Sequence, residues 1–292
     1  MPATLTPLRY PGGKTKYANL FVDIISANDL RDYTFVEVFA GGAGAAVSLL
    51  LKGYAKSLVL NDLDIAIYSF WQSVKEYPDE LIKLIQSTRV SMAEWKRQKA
   101  IYERKDASNP LVLGFATFFM NRCNHSGILE ARPIGGMQQD GDYNIKSRYN
   151  KTTAIKKIKT IAEYADSIEV YNLDGIAFLR LLKQKYQDRK CFVYLDPPYY
   201  QKGPALYLNH LQHDDHKALR DSILNCPFPW LLSYDDHEEI VNLYRNRACT
   251  LYRNVLRHTI TGNSIVKELI ISKLILPEYM DAVRCSKERV KQ

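Results

Sequence analysis

A chain of 292 residues can bury a large core in one or two domains, and 46% hydrophobic with 25% charged residues suits a soluble globular protein. Forty Lys and Arg against 32 Asp and Glu leave a formal charge of +8, which favours a polyanionic partner. Five scattered cysteines (Cys123, Cys191, Cys226, Cys249, Cys285) form no Cys-x-x-Cys pair and argue against a disulfide framework or thiolate zinc site. No apolar run reaches membrane length and no secretory h-region opens the chain, so the expectation is a cytoplasmic protein with free thiols and no membrane partner.

Leu8, Arg9, Tyr10, Pro11, Gly12, Gly13 and Lys14 precede a predicted helix over residues 15–27. The two glycines let backbone approach a ligand closely, and Lys14 can reach a carboxylate or carbonyl; taken alone, a plain helix-entry loop explains the stretch as well. Residues 35–39 (Phe35, Val36, Glu37, Val38, Phe39) read as a strand, turned by Gly41, Gly42 and Gly44 into an apolar helix over 45–51. Strand, glycine turn and helix open a doubly wound fold, but the spacing is not G-x-G-x-x-G, so a pyrophosphate cradle is not indicated. A second strand over 57–61 ends at Asp62, where such folds hold ribose hydroxyls; capping the helix that starts at Leu63 is a compatible role.

From about residue 73 to 150 the strand–helix alternation stops, and helices are predicted over 78–86, 92–103 and 111–120. This insertion reads as a separate subdomain. Its polar tip carries Arg122, Asn124, His125, Ser126, Glu130, Arg132, Gln138 and Gln139 beside Gly135, Gly136 and Gly141. These side chains suit base edges and phosphates, and a solvated hairpin is the plain alternative. Residues 143–162 then add Lys146, Arg148, Lys151, Lys156, Lys157 and Lys159 without one acid. Ile155, Ile158 and Ile161 form an apolar stripe that would turn the three last lysines outward, toward phosphate.

Strand character returns over 167–171, and Asp174 either caps the next helix or meets a cofactor base at the strand end. Cys191, Phe192, Val193, Tyr194 and Leu195 lead into Asp196, Pro197, Pro198 and Tyr199. A carboxylate, a proline-fixed free carbonyl and an aromatic face at one strand end suit a planar substrate bearing an NH2 group. Two acceptors, the side chain of Asp196 and the carbonyl of Pro197, could hold both amino hydrogens and localise the nitrogen lone pair. Beyond lie a loop at 201–209, a helix near 213–224, a strand at 230–234, a helix from Asp236 and an antiparallel edge hairpin (249–256 with 265–275). His210, His213 and His216 flank Asp214 and Asp215, a helix-start pattern rather than a metal site, so no metal is expected.

These stretches together resemble the Dam-type (alpha-group) DNA adenine methyltransferases, whose order is cofactor motif, recognition domain, catalytic motif. The resemblance rests on residues 8–14, 35–44, Asn61 with Asp62, Asn121 with Arg122 and Gly127, Asp174, and residues 196–199. It implies a Rossmann-like α/β sheet, mostly parallel with an antiparallel edge hairpin. A catalytic domain would span 1–72 and 151–292, and a mainly helical recognition subdomain with a β-hairpin or loop would span 73–150. S-adenosyl-L-methionine would be the cofactor, met by Tyr10, Lys14, Glu37, Phe39, Gly41, Gly42, Gly44, Asp62, Asp174 and Asp196. Asp196, Pro197 and Tyr199 would hold an adenine flipped from double-stranded DNA. Arg122, Asn124, His125, Ser126, Glu130, Arg132, Lys146, Arg148, Lys156, Lys157 and Lys159 would contact DNA. A monomer is expected, with a cognate restriction endonuclease as a candidate partner. The chain departs from the better-known members at Tyr10 and Pro11, where many have Trp-Ala, and at Asn124, His125, Ser126 and Glu130. It looks more like prophage and restriction-associated relatives, and GATC specificity is not implied.

Overall fold

The computed structural model describes residues 4–9, 14–200, 211–258, 264–277 and 281–282. Expectations placed on Tyr10, Gly12, Gly13, residues 201–209, His210 and Cys285 lie outside these. One sheet organises the chain, from β1 (Thr34–Glu37), β2 (Ser57–Asn61), β3 (Ile168–Tyr171), β4 (Cys191–Leu195), β5 (Trp230–Asp235), β6 (Thr250–His258), β7 (Ser264–Ser272) and β8 (Asp281–Ala282). The order is β3-β2-β1-β4-β5-β7-β6-β8. β1 to β5 pair in parallel, and β7 inserts antiparallel between β5 and β6. This is the mostly parallel sheet with an antiparallel edge. The short β8, beyond the hairpin, was not anticipated.

Parallel strands are covered on both faces, and alternate residues serve the two layers. Phe35, Leu58, Leu60, Phe192 and Tyr194 pack with α1 (Ala18–Ala27), α2 (Gly44–Leu51) and α3 (Ile65–Glu76). Val36, Val38, Val59, Val193 and Leu195 face α8 (Gly175–Lys185), α9 (His213–Leu224) and α10 (Glu238–Tyr244). Phe21 on α1 meets Phe35 and Tyr194 edge-on, at 5.3 and 4.7 Å between ring centres. Each such fully buried ring stabilises by roughly 1.5–3 kcal/mol.

The stretch between β2 and β3 is helical: α4 (Pro78–Ser87), α5 (Met92–Arg104), α6 (Pro110–Cys123) and α7 (Lys151–Ala162). Pro78 and Pro110 open their helices at a position that needs no N–H, while Ser91 and Asn109 cap the starts of α5 and α6. α3 runs on to Glu76, one turn past the boundary placed at residue 73, because Phe70, Trp71 and Val74 continue its buried face. The apolar core passes unbroken from the sheet through α3 into α4, α5, α6 and α7. At the α3–α6 crossing a Cβ on Gly114 would lie 2.3 Å from Ser73 Oγ, so only glycine allows this approach. Among the described residues no helix is long and apolar enough to cross a membrane.

Candidate active site

The strand order reverses between β1 and β4, and the C-terminal ends of these neighbours open a crevice. Four carboxylates come to it, from β1 (Glu37), β2 (Asp62), β4 (Asp196) and β7 (Glu268). The ends of β1, β2 and β3 are stitched by Asn61. Its amide donates to the carbonyls of Val38 (2.9 Å) and Leu173 (3.0 Å), and its oxygen accepts from Leu173 N–H (3.0 Å).

The turn after β1 is held from several sides. Gly41 sits at φ +46° and Ala43 at +45°. Gly41 N–H donates to Asp62 Oδ2 (2.7 Å), Trp71 Nε1 donates to the Gly41 carbonyl (2.9 Å), and Thr6 Oγ1 donates to the Gly42 carbonyl (2.5 Å). Gly44 begins α2. Asp62 also accepts from Asp64 N–H at 2.9 Å, and Asp64, not Asp62, caps α3. Burial outweighs these two backbone bonds and pushes the Asp62 carboxyl up to about 6. Glu37 is 4% exposed. Burial, then the charge of Asp196, lifts it well above the carboxylate range against a bond from the backbone of Ala46, and its Oε2 has no partner among the described residues. Phe39 lies against Gly175, where a Cβ would come within 2.7 Å of its ring. Asp174 caps α8, its Oδ1 accepting from Ile176 and Ala177 N–H.

Asp196 accepts from Ser233 Oγ at 2.8 Å on Oδ1 and from Lys14 Nζ at 2.9 Å on Oδ2. Burial raises its carboxyl and Lys14 opposes that rise. Burial alone would lower the Lys14 ammonium, but Asp196 and Glu268 together hold it above its ordinary value, as an ion pair requires. Pro197 is buried and Tyr199 half-buried. Lys14 Nζ donates to the Tyr199 hydroxyl oxygen (2.8 Å), and that hydroxyl donates to Glu268 Oε1 (2.6 Å). The Tyr17 hydroxyl donates to Glu268 Oε2. Glu268 is 3% exposed and escaped sequence reasoning. The one available signal is an acid inside the apolar run of β7, in register with Asp235 at the end of β5.

The next residue, Tyr200, donates its N–H to Asp235 Oδ1 (3.0 Å) and packs its ring among His213, His216 and His237. His213 Nδ1 bonds the Tyr200 hydroxyl and His216 Nδ1 the Tyr234 hydroxyl, so these imidazoles serve the packing behind Tyr199.

The polar tip after α6 is less of a hairpin than expected: one bridge joins Asn124 to Pro133, and residues 125–127 form a 3-10 turn. Asn124 is fully buried; its oxygen accepts from Trp95 Nε1 (2.7 Å) and its amide donates to the Leu129 carbonyl (2.7 Å). It is therefore spent inside the protein and is corrected from a DNA contact to a structural residue. Lys157 is half-buried and leans on the N-terminal segment, donating to Thr4 Oγ1 (3.2 Å) and the Thr6 carbonyl (3.0 Å), because 100° per residue sets it apart from Lys156 and Lys159. Those two are exposed beside Ile82 and Gln86 of α4. His125, Ser126, Glu130, Arg132, Lys146 and Arg148 are exposed, Arg148 donating to the Tyr143 hydroxyl (2.7 Å).

Arg9 was not singled out from the sequence, yet the fold brings it to Arg122 and Arg148. Asn121 grips Arg9 by its backbone N–H (2.8 Å) and carbonyl (2.7 Å), and a Cβ on Gly127 would strike that carbonyl at 2.2 Å. Burial, then Arg9, pulls the Arg122 guanidinium down to about 10. Arg9 Nη1 and Arg122 Nε have no partner among the described residues. Arg9, Arg122, Arg148 and Lys157 thus make a cationic group in mutual repulsion.

A family model described as D12 class N6 adenine-specific DNA methyltransferase matches residues 10–259. Modification methylase StsI of Streptococcus sanguinis is 24% identical over 289 residues, which cover 94% of this chain and 39% of that protein. Type II methyltransferase M.MjaIII of Methanocaldococcus jannaschii is 25% identical over 210 residues, 66% of this chain and 68% of that one. The chain thus spans about two fifths of the StsI protein's length. Among solved structures, the rRNA methyltransferase aviRa of Streptomyces viridochromogenes matches 91% of this chain and 87% of its own, at 11% identity and a TM-score of 0.42. A SAM-dependent methyltransferase of Agrobacterium tumefaciens matches 89% of this chain and 61% of its own, at 11% identity and a TM-score of 0.35.

Proposed function

Because the chain belongs to the D12 class N6 adenine-specific DNA methyltransferases, we propose that it moves a methyl group from S-adenosyl-L-methionine to the 6-amino group of an adenine flipped out of duplex DNA. The observation that carries this reading is the meeting of Asp196, Lys14 and Tyr199 at the β1–β4 switch point, beside the turn locked by Asp62.

The crevice fits such a donor. Glu37 keeps a buried oxygen without a partner, and Asp62 places a carboxylate against a turn at positive φ. Lys14, Glu37, Phe39, Gly41, Gly42, Gly44, Asp62 and Asp174 would hold the donor, with Asp62 on the ribose hydroxyls and Asp174 near its base. Bound there, the donor supplies a methyl group activated by sulfonium charge, so no covalent enzyme intermediate is needed. The protein's part is placement and fixed acceptors. Asp196 Oδ2 and the Pro197 carbonyl accept the two amino hydrogens and localise the nitrogen lone pair. Tyr199 stacks on the base and returns part of the few kcal/mol that flipping costs.

DNA would be gripped by residues 73–150 together with α7. Arg9, Arg122 and Arg148 suit phosphates, since a cationic group in which Arg9 Nη1 and Arg122 Nε are buried without partners among the described residues gains from an anionic ligand. His125, Ser126, Glu130 and Arg132 lie exposed where base edges could be read. The enzyme would act as a monomer, with a cognate restriction endonuclease as its partner; the names of the two sequence relatives, a modification methylase and a type II methyltransferase, bear only on the modification role. Sequencing DNA for N6-methyladenine after expression in a methylation-free host tests the reading. One methylated adenine context supports it; unmodified DNA with folded protein present overturns it.

A further inference from the structure

In methyl transfer to a neutral amine, the nitrogen lone pair becomes the new C–N bond as the donor's S–C bond breaks, and one N–H proton leaves afterwards to solvent. Positive charge therefore grows on the attacking nitrogen, and the group facing it works best with net negative charge. Asp196 alone would provide that. In this fold, however, Lys14 Nζ sits 2.9 Å from Asp196 Oδ2, so the ion pair of Asp196 and Lys14 is neutral overall. Something must restore the missing charge.

Glu268 stands on the other side of Lys14, its Oε1 3.6 Å from Nζ. Both its oxygens are used as acceptors, one by the Tyr199 hydroxyl and one by that of Tyr17, as suits an ionised carboxylate. Resting on the adenine-methylation reading above, we propose that Glu268 is a positioning residue that offsets the charge of Lys14 and thereby leaves Asp196 net anionic toward the target amine. The same carboxylate fixes the hydroxyl end of Tyr199, so the base-stacking ring and the acceptor are set by one side chain on β7. Lys14 lies 2.8 Å from that hydroxyl and 5.1 Å from the ring centre, near the rim rather than over the face where a base would stack.

A structural acceptor and a charge donor respond differently to isosteric neutralisation. Single-turnover methylation of pooled duplexes, with enzyme and labelled donor in excess, compares wild type with Glu268→Gln, Glu268→Asp and Glu268→Asn. Charge compensation makes Glu268→Gln about thirtyfold slower than wild type and slower than the shortened Glu268→Asp, with Asn slower than Asp. Base flipping, read from 2-aminopurine fluorescence in the same pool, stays within about twofold. A Gln variant as fast as or faster than Glu268→Asp overturns the proposal, because Gln lacks the charge and keeps only the length and one of the two acceptor oxygens. Should the Gln variant fail to fold, the Asp–Asn pair makes the same comparison, and equal rates there overturn it. A wild type that methylates no adenine overturns the underlying reading instead, and this inference with it.

Discussion

Asp196 carries two hydrogen-bonded neighbours before any substrate arrives, Ser233 and Lys14. Replacing it with Ala should lower the single-turnover methylation rate by about a thousandfold, with duplex affinity within about threefold by fluorescence anisotropy. Asp62 gives a pH signature. Its folded value, about 6, lies above the ordinary 3.8, so ionising it costs folding stability as pH rises through that window. If Asp62 holds the donor's ribose, donor binding gains over the same window, because the ionised carboxylate is the better acceptor for two hydroxyls. Calorimetry should find donor affinity rising about tenfold from pH 5 to 7, and Asp62→Asn should be weak and flat. Asp62 and Asp196 were legible because each ends an apolar run, where a carboxylate must have a reason to sit. Glu268 was not. Its meaning depends on β7 inserting next to β5, which no local pattern encodes.

At the level of elements, α7 shows where periodicity reads well and where it stops. The stripe of Ile158 and Ile161 is buried as expected, with Ala154 taking the place given to Ile155. The lysines between them do not share a fate, because adjacent helix positions point 100° apart and one of them meets the Thr4–Thr6 segment. A partner so distant in sequence cannot be read from a helix alone. The same holds for Asn124, whose side-chain oxygen accepts from Trp95 of α5. If phosphates bind beside Arg9 and Arg122, Arg148→Ala should lower the slope of log affinity against log salt by about 0.9. A slope that answers to Lys156→Ala with Lys159→Ala, and not to Arg148→Ala, would move the DNA to the α4–α7 groove.

Across the whole molecule, the strand and helix alternation of both halves could be followed from the sequence, and so could the four helices between them. What stayed hidden is how those helices are attached. Their core is continuous with the sheet's through α3, and at Gly114 the join leaves no room for a Cβ. Gly114→Ala should therefore cost about 1–3 kcal/mol in urea unfolding. Variants keeping only Trp95 or only Trp230 should report one shared transition, since α5 and β5 draw on connected layers. Lys14 and Glu268 meet across nearly the whole described chain, and the strand bearing Glu268 slots between two others only after both of its neighbours' sequences have been made. A nascent chain displayed on the ribosome as far as β5 would hold Lys14 beside Asp196 without Glu268, and Tyr199 without the acid its hydroxyl donates to. Competence would wait for β7 and arrive in one step, when a single strand brings the second acid to the lysine and the tyrosine together.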